Sequence, residues 1–108
     1  MKRGDIITVA ISGDYGKPRP AVVIQADWLD DSDSVLICQV TTEWRSAPLY
    51  RLTVPMTGQT GLREASYVMA EKIFAVRRVK CGAVIGHLPE AAKIALNRML
   101  VEVIGLGD

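Results

Sequence analysis

Gly16-Lys17-Pro18-Arg19-Pro20-Ala21-Val22-Val23-Ile24 is a basic turn that runs straight into an unbroken apolar segment. The ring of Pro18 fixes its own φ at about −65°, and Pro20 pushes Arg19 out of the α region into an extended conformation. Four apolar residues in a row, three of them β-branched, suit a strand covered on both faces. Arg19 thus stands at the mouth of a buried strand with its backbone restrained from both sides. Its guanidinium is a planar fork of donors that matches phosphate and stays charged at any working pH. A hairpin loop carrying ordinary surface charge is the other reading these residues allow.

Working outward, residues 5–11 alternate, with Ile7, Val9 and Ile11 on one face and Thr8 and Ala10 on the other, which predicts a strand with one wet side. Residues 12–18 are dense in turn formers and read as a loop. Residues 21–25 form the second strand, 28–34 an acidic loop, and 35–41 a third strand ending in Thr41-Thr42-Glu43. Residues 50–55 alternate again, 57–61 are a turn, and 66–69 and 72–76 are two short extended pieces around Glu71. Then the period changes. Pro89 suits a first helical position and Glu90 the first turn, where the helix dipole favours an anion. Ala92, Leu96, Met99, Leu100 and Val103 recur at spacings of three and four, Glu90, Lys93, Asn97, Arg98 and Glu102 take the other side, and Gly105 ends the helix. Short strands joined by turns and closed by one amphipathic helix predict a mainly β fold, a small barrel or sandwich.

The 108 residues are read as one domain, 1–108, large enough to bury a core; 49% are hydrophobic, which excludes disorder. Apolar runs are short and broken by charge, so no segment is expected to span a bilayer. The basic start leads into no signal-peptide core, because Thr8, Ser12 and Asp14 interrupt it, and a cytoplasmic location is expected. Cys38 and Cys81 have no metal or redox spacing; Cys38, inside a strand pattern, reads as a buried free thiol. With a single histidine, His87, and no paired cysteines, a zinc site is not expected. No nucleophile elbow, P-loop or dinucleotide fingerprint is present.

Thirteen basic residues against twelve acidic give a formal net charge of +1, without the basic excess of a general nucleic-acid binder. Position matters more than the total. Acidic residues cluster at Asp27, Asp30, Asp31 and Asp33, and basic ones at Lys17/Arg19, Arg45/Arg51 and Arg77/Arg78/Lys80. Thr41 and Thr42 close the third strand with two hydroxyls, which are also ordinary strand residues. They gain chemical meaning if that strand lies beside the one opened by Arg19, because a basic fork and a hydroxyl would then converge. Tyr15 and Trp44 fall in loops next to these groups, and an exposed aromatic beside basic residues can stack on single-stranded bases.

These residues resemble the MazF/PemK (Kid-like) toxins of type II toxin–antitoxin systems. Lys2-Arg3-Gly4-Asp5-Ile6 is similar to the family's opening strand, and residues 16–24 to its Gly-Lys-x-Arg-Pro-Ala-Val-Val motif. Val40-Thr41-Thr42 stands where the family carries an apolar residue followed by Thr-Ser. Gly61-Leu62, Ser66-Tyr67-Val68 and Glu71-Lys72-Ile73 follow its Gly-Leu, Ser-x-Val, Asp-Gln-Ile order. The resemblance implies an SH3-like β-barrel of the CcdB/MazF/PemK type with a C-terminal amphipathic helix. It also implies a homodimeric endoribonuclease that cuts single-stranded RNA without metal or cofactor, leaving 2′,3′-cyclic phosphate and 5′-hydroxyl ends. Its partner would be an antitoxin with an acidic, partly disordered tail. By position, Arg19 would contact the scissile phosphate, Thr41 would assist through its hydroxyl, and Glu71 would replace the family's aspartate as general base. Lys17, Tyr15, Thr42, Trp44 and Arg45 are the expected RNA-binding residues. Met69 stands where some relatives place a catalytic arginine. A CcdB-like poison of DNA gyrase is the alternative on the same fold.

Overall fold

The computed structural model describes residues 1–11 and 17–108, so Tyr15 and Gly16 of the sequence reading lie outside the described residues. Six strands, β1 (Asp5–Ala10), β2 (Pro18–Val23), β3 (Ser34–Thr41), β4 (Arg51–Val54), β5 (Ser66–Arg77) and β6 (Cys81–His87), precede the helix α1 (Glu90–Ile104). They form one antiparallel sheet in the order β4-β5-β3-β2-β1-β6.

β2 starts at Pro18, earlier than its apolar run, and Arg19 is a strand residue opposite Val9 of β1. Pairing of β2 with β3 begins only at Ala21↔Gln39. The first three residues of β2 are therefore held on one side only, where the two prolines, lacking N–H groups, break no ladder. The sequence that restrains Arg19 also parts β2 from β3 beside it.

The two extended pieces expected around Glu71 are one strand. β3 meets β5 as Cys38↔Ile73 and then Val40↔Val68, so β5 bulges through Met69, Ala70, Glu71 and Lys72. A bulge breaks the alternation that marks a strand and increases the local twist, which is why the sequence pattern breaks there. β6 was not expected at all, since Gly82 and Gly86 dilute its apolar pattern. Those glycines are required. A Cβ on Gly82 would meet the Thr8 hydroxyl at 2.3 Å, and one on Gly86 the Thr60 backbone at 2.3 Å. His87 N–H donates to the Gln59 carbonyl at 2.9 Å, tying β6 to the turn that follows β4. The two margins of the sheet thus meet, and the sheet rolls toward closure.

The core lies on both faces. Ile6, Val22 and Cys38 stand in one register row and pack with Val54, Val68 and Ala70 under Leu96 and Leu100 of α1. Ile7, Val9, Ala21, Val23, Val35, Ile37 and Val76 fill the other side. Ala21–Val23 is buried throughout, as an unbroken apolar run demands. α1 ends at Gly105 with φ 81°, a left-handed cap that a glycine adopts without strain. Burial, aided by the Glu71 carboxylate and opposed by Arg3, pushes the Cys38 thiol up to about 12, so it is an inert core residue. Among the described residues no helix is long and apolar enough to cross a membrane.

Candidate active site

Continuing the Ala21↔Gln39 register two residues outward sets Arg19 across from Thr41. Because the ladder has ended, the space between them is a cleft of about 290 Å³, lined by Arg19, Gln39, Thr41, Thr42, Ser66 and Met69 among others. Gln39 and Thr41 share the face of β3 that carries Val35 and Ile37 inward, so one strand runs from core to cleft. Arg19 is exposed and Thr41 half-buried. Thr41 Oγ1 accepts the Glu43 N–H at 3.1 Å, which fixes the oxygen and leaves its own proton to donate. A guanidinium fork, three hydroxyls and an amide line a space large enough for a phosphodiester.

A second cleft of about 280 Å³ adjoins the first, with Trp44, Arg45, Pro48, Arg51, Thr53 and Tyr67 in its walls. Arg51 pairs in register with Met69. From there it reaches diagonally to Glu71, donating from Nε to both carboxylate oxygens at 3.1 and 2.9 Å and from Nη2 at 2.7 Å. Burial pushes the Glu71 carboxyl up, but the Arg51 hydrogen bonds and charge outweigh it and hold the group below its usual range.

Arg19, Thr41 and Thr42 therefore share one cleft, and Trp44 and Arg45 line its neighbour. Glu71 is bound to Arg51 and does not line the Arg19–Thr41 cleft. Lys17 is exposed at the approach to β2. Gln39, Ser66 and Arg51 are not among the site residues expected from sequence, although Arg51 stood in a basic cluster and Ser66 in a family-like segment. Gln39 could have been, being two residues before Thr41 on a strand, and so on the same face. Arg51 could not, because its partner is set by the β4–β5 register. A larger hollow of about 610 Å³ lies elsewhere, lined by Asp30, Asp31 and Asp33 and by Arg77 and Arg78 among others. Its aspartates would repel a phosphodiester, so volume is a poor guide here. Among the described residues no group of three or more His, Cys, Asp or Glu could hold a metal ion.

Comparison with known proteins bears on what these clefts do. Residues 2–104 match the family described as PemK-like, MazF-like toxin of type II toxin-antitoxin system. A Mycolicibacterium smegmatis protein named as a probable endoribonuclease MazF is 38% identical over 107 residues, covering 98% of each chain. Among solved structures, an endoribonuclease in complex with its cognate antitoxin from a mycobacterial species superposes with a TM-score of 0.82 at 20% identity, covering 98% of this chain and 96% of that one. A MazE-MazF structure from Deinococcus radiodurans gives 0.78 at 18% identity, covering 97% and 95%. At those identities the two structures speak for the fold, a mainly β sheet closed by a C-terminal helix.

Proposed function

The chain belongs to the PemK-like, MazF-like toxins of type II toxin–antitoxin systems, and we propose that it cuts single-stranded RNA in the cleft between Arg19 and Thr41. It is a toxin endoribonuclease by that membership. The observation that carries the site assignment is the early end of the β2–β3 ladder, which opens a space between a guanidinium and a strand-end hydroxyl.

In this reading the ribose 2′-oxygen attacks the adjoining phosphorus while the bond to the 5′-oxygen breaks. The 2′-proton is given up, and the departing oxygen takes a proton to become a 5′-hydroxyl. Negative charge grows on the phosphoryl oxygens, where the Arg19 fork and the Thr41 hydroxyl are held to meet it. Donors already in place at that moment cost no reorganisation, and removing one typically lowers the rate by about 10²–10³. Only RNA offers the 2′-hydroxyl. Glu71 enters as the anion that fixes Arg51. Exposed Lys17, Arg19 and Arg45 give the clefts a basic rim, which suits both the RNA backbone and an acidic, disordered antitoxin tail. One toxin domain, acting in the cytoplasm as a homodimer, completes the proposal. A gyrase-poison reading of the same fold has no observation in its favour.

Purified protein incubated with a single-stranded RNA in EDTA should leave 2′,3′-cyclic phosphate and 5′-hydroxyl ends. The same RNA with one 2′-deoxy nucleotide at the cut should survive. Ends bearing 5′-phosphate, or cutting through the deoxy position, would contradict the mechanism.

A further inference from the structure

The cleft beside the Arg19–Thr41 site holds a side chain whose donors are only partly used. The Arg51 side chain is 8% exposed. Glu71 takes up its Nε and Nη2, while Nη1 makes no hydrogen bond among the described residues. Among the described residues, a side-chain nitrogen sealed from solvent without a partner occurs only at Arg78, so Nη1 of Arg51 keeps contact with solvent, and its side chain lines this cleft. The same cleft is lined by Trp44, 68% exposed, and by half-buried Tyr67.

We propose that this cleft takes the base of a nucleotide next to the scissile phosphate, and that Arg51 selects a keto base, guanine or uracil, over adenine or cytosine. The assignment rests on RNA lying in the Arg19–Thr41 cleft, and it names a specificity residue for that reaction. The two clefts are adjacent: Met69 lines the first, and its cross-strand partner Arg51 lines the second, about 4.8 Å away across one strand spacing. Flat aromatic walls suit stacking of an unpaired base. The two hydrogens of Nη1 meet acceptors on O6 and N7 of guanine or O4 of uracil. The amino group that adenine and cytosine present at the same edge would set donor against donor. A phosphate is the poorer occupant, because Glu71 already neutralises Arg51 at contact distance. Glu71 is here a positioning residue that holds the guanidinium through its Nε and Nη2.

The test is end-sequencing of cleavage products from a randomised single-stranded RNA library. Wild type should favour keto bases on the order of tenfold at one of the two positions flanking the cut, the scale of one hydrogen bond to a charged donor. Arg51→Lys keeps a cation beside Glu71 but lacks Nη1, and its keto excess should fall toward unity while cutting continues. Glu71→Gln should relax the same preference, a readout that a merely structural pair would leave alone. Trp44→Ala removes an exposed ring whose loss does not threaten folding. It should weaken binding of an uncleavable, 2′-deoxy-blocked RNA about tenfold, with keto bases affected most. A wild type with no keto preference at either position, an undiminished preference in Arg51→Lys, or unaltered binding by Trp44→Ala would overturn the subsite while the endoribonuclease reading stands. A wild type that cuts no RNA would overturn both.

Discussion

Arg51 and Glu71 lie 20 residues apart and meet only because β4 and β5 pair in one register. No local period encodes that meeting, so the sequence showed a basic residue and an acidic one where the structure has a bidentate pair. Arg19 was legible for the opposite reason: its constraints are its own neighbours, Pro18 and Pro20. Thr41 and Thr42 were legible as strand-end hydroxyls, and their convergence with Arg19 followed once β2 and β3 lay side by side. Glu71→Gln separates the two roles open to that carboxylate. As a positioning residue its loss should lower kcat less than about tenfold, whereas loss of a general base costs about 10²–10⁴. The same variant carries a pH signature. Arg51 lowers the folded-state pKa of Glu71, so the ionised pair contributes stability above the unfolded carboxylate value of about 4 and loses it as pH falls through the lower folded value. Urea unfolding should therefore find the stability gap between wild type and Glu71→Gln shrinking on acidification.

At the scale of elements, β1, β2, β3 and α1 follow from period and punctuation. β5 and β6 do not. In β5 the bulge through Glu71 swaps the faces: Val68 and Ala70 point to the helix-side core before it, Ile73 to the same core after it. An odd and an even series cannot be joined by a rule of two. In β6 the glycines are chosen for closeness of approach rather than strand propensity, so their reason is tertiary. Gly86→Ala should lower unfolding free energy by about 3 kcal/mol, the upper end of overpacking costs, because its new methyl meets the Thr60 backbone. Gly58→Ala is the control: nothing lies within 4 Å of its added Cβ, and it should be close to neutral. Equal effects of the two substitutions would show that the meeting of β6 with the turn after β4 does not hold the sheet together.

The whole molecule joins these devices into one surface. Two prolines part β2 from β3, the bulge twists β5 past the gap, and the β4–β5 register brings Arg51 to the wall of the neighbouring cleft. The fold class could be read from the strand pattern and the helix, and the family from an ordered set of motifs. The clefts could not, since each is a gap between elements rather than a property of any one. Net charge of +1 concealed the basic rim for the same reason. Everything proposed for catalysis passes through the guanidinium at the opened end of β2. The most direct measurement is therefore the single-turnover cleavage rate of Arg19→Ala on a single-stranded RNA, with the products' ends identified. Arg19 is exposed, so the variant should fold as wild type does. The account predicts a rate lower by about 10²–10³ with the same cyclic phosphate ends in the residual product; a rate equal to wild type would contradict it.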